Sequence, residues 1–220
     1  TNHVQDVWYH VVGTYDGSYM RVYVNGVEEN SVAQTGAIGT TTAKLILGAY
    51  DGVGFSLDGN LSNCSIWNTA LTSAQVSTLF NFGTPETNTS FDPTAWWKLN
   101  DQNAITDYSG NGNTGINNGA TDATTPVVVV PSWKIPNELP IPTVNYTSAL
   151  EFNRPLKNNE YVNIGTISFL NQAGDFTISQ WVNPANIVGN HHMPIQFNQY
   201  NMIYLKNNAW QYEFRGGQRQ

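Results

Sequence analysis

Residues 8–27 read WYHVVGTYDGSYMRVYVNGV, and the reading of this stretch decides the fold. Two runs rich in aromatic and β-branched side chains, 8–15 and 20–27, are separated by the turn-forming triplet Asp16-Gly17-Ser18. The second run holds Asn25-Gly26, the pair that reaches the two positive φ angles of a tight hairpin turn at least steric cost. Strand, turn, strand and turn predict an antiparallel meander. Its bulky side chains require a second layer to cover them.

Working outward, residues 28–42 predict a short edge strand and a loop. Residues 43–49 predict another strand, with Leu45 and Leu47 on one face and Lys44 and Ile46 on the other. Strict alternation over 61–67 places Leu61, Asn63, Ser65 and Trp67 opposite Ser62, Cys64 and Ile66. The period then changes. Thr72 precedes Gln75 by three residues, the spacing of a capping box, and Leu71, Val76, Leu79 and Phe80 form a stripe at helical spacing. This predicts one helix over 72–80, lying across an open end of the sandwich.

Residues 81–93 read as a linker, and AWWKL at 95–99 restarts a strand. The run 107–120, DYSGNGNTGINNGA, is rich enough in Gly and Asn to predict tight turns throughout. Residues 124–142 hold five of the ten prolines, which predicts an extended surface excursion rather than a central strand. Further strands are expected at 149–152, 161–164, 176–182, 195–197, 201–205 and 210–214. In the 176–182 strand, Phe176, Ile178 and Val182 share a face opposite Thr177, Ser179 and Trp181. About a dozen short strands and one helix define an all-β chain, an antiparallel two-sheet jelly-roll sandwich.

Composition narrows the function. Eleven Tyr, nine Phe and seven Trp supply the filling between two sheets. Nine basic against sixteen acidic residues give a net charge of −7 with no basic cluster, which argues against a nucleic-acid partner. The longest strongly apolar run, 127–130, is far shorter than the about 20 residues of a membrane-spanning helix, so no membrane insertion is expected. The single cysteine, Cys64, forms no intrachain disulfide and reads as a core residue.

The strings VWYHVVGTYDG, MRVYVNGV, LILGAY and LSNCSIWNTALTSAQVSTLF resemble the second half of the laminin-G-like jelly roll of the concanavalin A-like lectin/glucanase superfamily. WWKLND, DYSGNGNTG, SALEFNRPLKNNEYVNIG and FTISQWVNP resemble its first half. The halves therefore stand in swapped order: 1–83 as the second half, 84–92 as a linker and 93–220 as the first half. A circular permutant and a window of a tandem array both produce this order. Either arrangement requires the two parts to meet and bury their apolar faces. The expected contact is between the 8–15 strand and a strand of the second part, with 210–214 favoured, and with Gln220 near a Thr1.

The resemblance implies a non-enzymatic extracellular, cell-surface or virion-surface module, acting in adhesion or assembly with protein partners or copies of itself, and with glycans as candidate ligands. A lectin-like carbohydrate-binding domain is the alternative, and a glucanase-like hydrolase a remote third. The glucanase relatives carry a Glu-x-Asp-x-x-Glu strand that this chain lacks. Retaining glycoside hydrolysis needs two carboxyls about 5 Å apart. Here Glu28 and Glu29 are adjacent, hence on opposite faces of a strand, and Glu213 has no acidic neighbour.

Sugar recognition needs aromatic faces and planar amides, which singles out Trp133, Tyr50, Tyr200 and Trp210, with Tyr19 beside them. Asp16, Asp51 and Asp58, together with Asp107, sit in or beside Gly-containing turns, where oxygens can surround calcium. Where the family typically has Phe-x-Gly-x-Ile-Asp-Glu, this chain reads LDGNLSN at 57–63, so the family's acidic pair is replaced by Ser62 and Asn63. The expectation is no cofactor, or one weak structural Ca²⁺. His10 reads as a packed strand residue, and His191-His192 has no companion at zinc spacing. The lack of paired carboxylates yields the first prediction: incubation with β-glucans should release no reducing ends. Release that is abolished by changing one Glu or Asp would contradict it.

Overall fold

The computed structural model describes residues 4–36, 44–49, 56–81, 91–123, 127–128, 144–145, 149–152, 160–167, 174–185, 192–198, 201–206 and 209–214. The meander comes first, as β1 (Tyr9–Tyr15), β2 (Tyr19–Val24) and β3 (Val27–Ala33), followed by β4 (Leu45–Leu47), β5 (Gly59–Trp67) and helix α1 (Ser73–Phe80). Asn25 and Gly26 adopt φ of 51° and 78°, the positive values their turn requires. Then come β6 (Ala95–Trp97), β7 (Ile116–Asn118), β8 (Thr121–Asp122), β9 (Val127–Val128), β10 (Val144–Asn145), β11 (Leu150–Phe152) and β12 (Tyr161–Gly165). The last four strands are β13 (Phe176–Pro184), β14 (His192–Asn198), β15 (Asn201–Lys206) and β16 (Ala209–Phe214).

Two antiparallel sheets make the sandwich. The larger has the order β3-β2-β1-β13-β5-β11-β8, with β6 also paired to β5; the smaller has the order β16-β15-β14-β4-β12-β7. Strands β9 and β10 form a separate ribbon. Strands from before and after the 81–93 stretch alternate in both sheets. The central pair is β1 with β13, in register from Tyr9 opposite Val182 to Tyr15 opposite Phe176. The expected contact of the 8–15 strand with the second part of the chain is thus made through β13. The favoured partner, 210–214, pairs instead with β15 at the edge of the other sheet. The long, apolar β13 can bury both faces beside β1, whereas β16 lies at an edge. Thr1 and Gln220 lie outside the described residues.

All seven residues of β1 are buried. Its inner face, Tyr9, Val11 and Tyr15, joins Val22, Val24, Phe176, Ile178 and Val182 against Leu45, Leu47, Val162, Ile195 and Ile203 of the smaller sheet. Its outer face is covered by α1: Val12 and Tyr23 cluster with Trp67, Leu71, Val76 and Leu79. The helix therefore lies on the outer face of the larger sheet, not across an open end. Trp67, Tyr23 and Val12 create an apolar surface there that only another element can remove from water. Thr177 of β13 ties down the approach to the helix, accepting from Leu71 N at 2.8 Å and donating to Thr69 O at 2.8 Å.

Strict alternation fails in β5. Asn63 takes φ of 50°, and the register against β13 shifts between Ser179 and Trp181. This bulge puts Leu61, Cys64 and Ile66 together in the inner core, while Trp67 points to the helix side. The 107–120 stretch also departs from a pure turn region, because Ile116–Asn118 pairs with β12 as an edge strand. The family-like turns around 50–55 and much of the proline-rich excursion lie outside the described residues.

The helix opens with the capping box its sequence predicts. Gln75 N donates to Thr72 Oγ1 at 3.3 Å and Thr72 N to Gln75 Oε1 at 2.8 Å. Thr72→Ala should lower stability by about 1 kcal/mol through loss of the cap. Urea unfolding measures this, and a loss below about 0.2 kcal/mol would remove the cap from the account.

Candidate functional site

Three polar centres and one cleft stand out. His10 is almost fully buried on the outer face of β1, at 1% exposure. Its ring lies 5.1 Å from the Trp181 ring and 6.1 Å from that of Phe80, the last helical residue, and its Nε2 is 2.7 Å from Ser179 Oγ. Asn25 closes the turn beneath it: His10 N donates to Asn25 Oδ1 at 3.0 Å, and Asn25 N to His10 O at 2.8 Å. Burial drives the His10 pKa down to about 3. A neutral imidazole locked between two aromatic rings is a packing element.

Asp107 is the second centre. One carboxylate oxygen accepts from Trp96 N at 3.0 Å and Ser109 N at 2.9 Å; the other accepts from Asn113 N at 2.8 Å and Asn113 Nδ2 at 2.9 Å. Burial raises its pKa, but the donors from Trp96, Asn113 and Ser109 outweigh burial and hold it below the usual carboxylate range. The Gly- and Asn-rich loop is wound around this one anion. Asn113 O in turn accepts from Trp97 Nε1 at 2.7 Å, which fastens the loop to β6.

The third is Asp16, whose two oxygens also have protein donors. Ser18 N and Tyr19 N donate at 2.9 and 2.7 Å, and Arg21 Nη1 pairs with the second oxygen at 2.6 Å. The Arg21 hydrogen bond is the main reason its pKa is lowered. Of the other expected calcium residues, Asp58 is half-buried just before β5 and Asp51 lies outside the described residues. No cluster of three or more His, Cys, Asp or Glu able to hold a metal occurs among the described residues. Cys64 is fully buried and its thiol is pushed to higher pKa by that burial.

A cleft of about 340 Å³ opens where the edges of the two sheets approach, between β2–β3 and β16. Met20, Val22, Asn30, Val32, Trp210 and Gln211 are among its lining residues. The edge strand β3 is exposed for most of its length, so one side of the cleft is open, while Trp210 belongs to the inter-sheet core and is 7% exposed. Of the aromatic residues expected to meet sugars, Trp210 thus reaches a cleft. Tyr50, Trp133 and Tyr200 lie outside the described residues, and Tyr19 is exposed beside Arg21. Asn30 and Gln211 escape a reading based on aromatic residues, since only the approach of β16 to β2 brings them to the same cleft.

A laminin G family model, described as the concanavalin A-like lectin/glucanases superfamily, matches residues 1–77, from the segment before β1 into α1. No curated protein and no solved structure matches the chain. The described residues make an antiparallel β-sandwich, similar over residues 1–77 to a superfamily of lectins and glucanases. No helix among them is long and apolar enough to cross a membrane.

The buried histidine gives a pH signature. An unfolded histidine binds a proton below about pH 6.5, whereas His10 in the folded chain does so only near pH 3. Its contribution to stability is therefore complete above the unfolded pKa and is lost progressively as pH falls from 6.5 towards 3. Between pH 7 and pH 5 this group should remove about 2 kcal/mol. His10→Gln should lose that portion of the pH dependence. Equal pH slopes for the two proteins in urea unfolding would refute the buried neutral state.

Proposed function

We propose that the chain is a non-enzymatic module of an extracellular, cell or virion surface, acting in adhesion or assembly and contacting neutral glycans through the cleft between β2, β3 and β16. The observation that carries this reading is the composition of the cleft. Its volume of about 340 Å³ falls in the range of small-ligand pockets, and Trp210, Asn30, Gln211 and the ion-paired Arg21 line it with no carboxylate among the lining residues. Amides satisfy paired sugar hydroxyls, and the absence of an acidic pair suits binding rather than hydrolysis. The superfamily match over residues 1–77 lends weight to a lectin-type ligand. On this reading 1–83 and 93–220 are the second and first halves of one jelly roll in swapped order, joined across the β1–β13 seam.

A glycan array with the intact chain tests the proposal. Neutral saccharides should be retained, and the double variant Asn30→Ala, Gln211→Ala should bind them about ten-fold more weakly, the equivalent of about 1.4 kcal/mol. Trp210 is unsuitable for this test because it also fills the core. Retention of no neutral glycan, or unchanged binding by the double variant, would overturn the cleft assignment.

A further inference from the structure

Far from the cleft, the same bulge that redirects β5 builds a second surface. Asn63, in its left-handed conformation, presents its side-chain oxygen to Trp96 Nε1. Trp96 is on the outer face of β6, opposite Ser65, and is buried. Its backbone is held at both ends, since Trp96 N donates to Asp107 Oδ1 and Trp96 O accepts from Tyr108 N at 2.7 Å. Tyr108 therefore stands at a set position, with its ring centroid 5.6 Å from that of Trp96 and 40% of its surface exposed. Lys98, two residues on from Trp96, extends over both rings: its ammonium lies 4.8 Å from the Trp96 centroid and 4.4 Å from the Tyr108 centroid.

Three properties distinguish this lysine from an ordinary surface one. Its ammonium is pinned by two aromatic faces, which reduces the rotamer entropy a ligand would otherwise have to remove. Among the described residues no carboxylate pairs with it; the ion pairs there are those of Arg21 with Asp16 and Glu28. Of the acids that follow it, Asp101 accepts from Asn103 N at 2.8 Å and Asn103 Nδ2 at 3.2 Å, and Asp107 is turned inward onto four donors. The rim beside Tyr108 is uncharged and hydrogen-bonding: Asn100 accepts from Tyr108 Oη at 3.4 Å, and Ser109 and Asn111 follow in the loop.

The geometry points to a binding site for a saccharide that carries a carboxylate, a uronic or sialic acid unit. The ammonium of Lys98 takes the carboxylate, the exposed part of the Tyr108 ring takes the apolar face of the sugar, and Asn100 and Asn111 meet its hydroxyls. A cation already seated on aromatic rings at a partly dry surface pairs with an anion more strongly than one waving in water. The site is distinct from the cleft. Strands β1, β13 and β5 separate β2 from β6, a distance of about 19 Å at the spacing of neighbouring strands, and Trp96 faces the opposite side of the sheet.

The test is titration calorimetry on the intact chain with trigalacturonate and with sialyllactose, each beside a neutral counterpart, maltotriose and lactose. At least one acidic sugar should bind more tightly than its neutral counterpart, with affinity falling as salt is raised. Lys98→Met keeps the apolar stem over the rings, and it should weaken that binding about ten-fold or more. Tyr108→Ala should do the same. Asn30→Ala, Gln211→Ala should leave it unchanged, so failure of this site and failure of the cleft are separable. The proposal is overturned if neither acidic sugar exceeds its neutral counterpart. It is equally overturned if Lys98→Met, melting as the parent chain does, binds the acidic sugar as well as the parent.

Discussion

The pairing of β1 with β13 is the constraint on which the rest of the molecule depends. Both strands run through the middle of the larger sheet, and every residue of β1 is buried. A strand in that position has no face left for water, so each side must find its own cover. The smaller sheet supplies one cover and α1 the other. Burying a Val or Leu side chain contributes about 1.5–3 kcal/mol. Val12, Val76 and Leu79 on the helix side are therefore comparable in worth to part of the inter-sheet core, and the helix is a structural layer rather than an appendage.

The seam also explains why a histidine can sit at its centre. His10 has Trp181 across the ladder and Phe80 above it, with one ring nitrogen beside Ser179. Such a site favours the uncharged ring, because burial penalises the charged form. The polar groups of this chain serve the same economy elsewhere. Asp16 closes the β1–β2 turn, Asp107 winds the loop that follows β6, and Asn25 ties a hairpin turn back to β1. Carboxylates occupied in this way are anchors of local geometry.

Surface chemistry is generated by two departures from regular sheet. At the sandwich edge, β2 and β3 of one sheet and β16 of the other leave the cleft beside Trp210. In β5, one left-handed asparagine adds a residue to the strand and brings Asn63 under Trp96, which fixes the cluster of Trp96, Lys98 and Tyr108. Bulges commonly re-aim side chains in this manner. An acidic chain with few charged residues thereby acquires a localised cation, held over the rings of Trp96 and Tyr108.

Local chemistry determined much of this from sequence. Asn25-Gly26 dictates a hairpin because few other pairs tolerate two positive φ angles, Thr72 with Gln75 dictates a helix start because their groups reciprocate within one turn, and Phe176, Ile178 and Val182 share a face because strands have period two. The all-β class follows from such short-range rules. The tertiary structure alone decided which strands pair across the chain, that α1 covers the sheet's outer face, and that Asn63 interrupts the period of β5. It also decided that Trp210, Asn30 and Gln211 line one cleft and that Lys98 lies over Trp96 and Tyr108. The partners in these cases come from different elements or from both sides of a loop, and only burial of the shared core selects the register that brings them together.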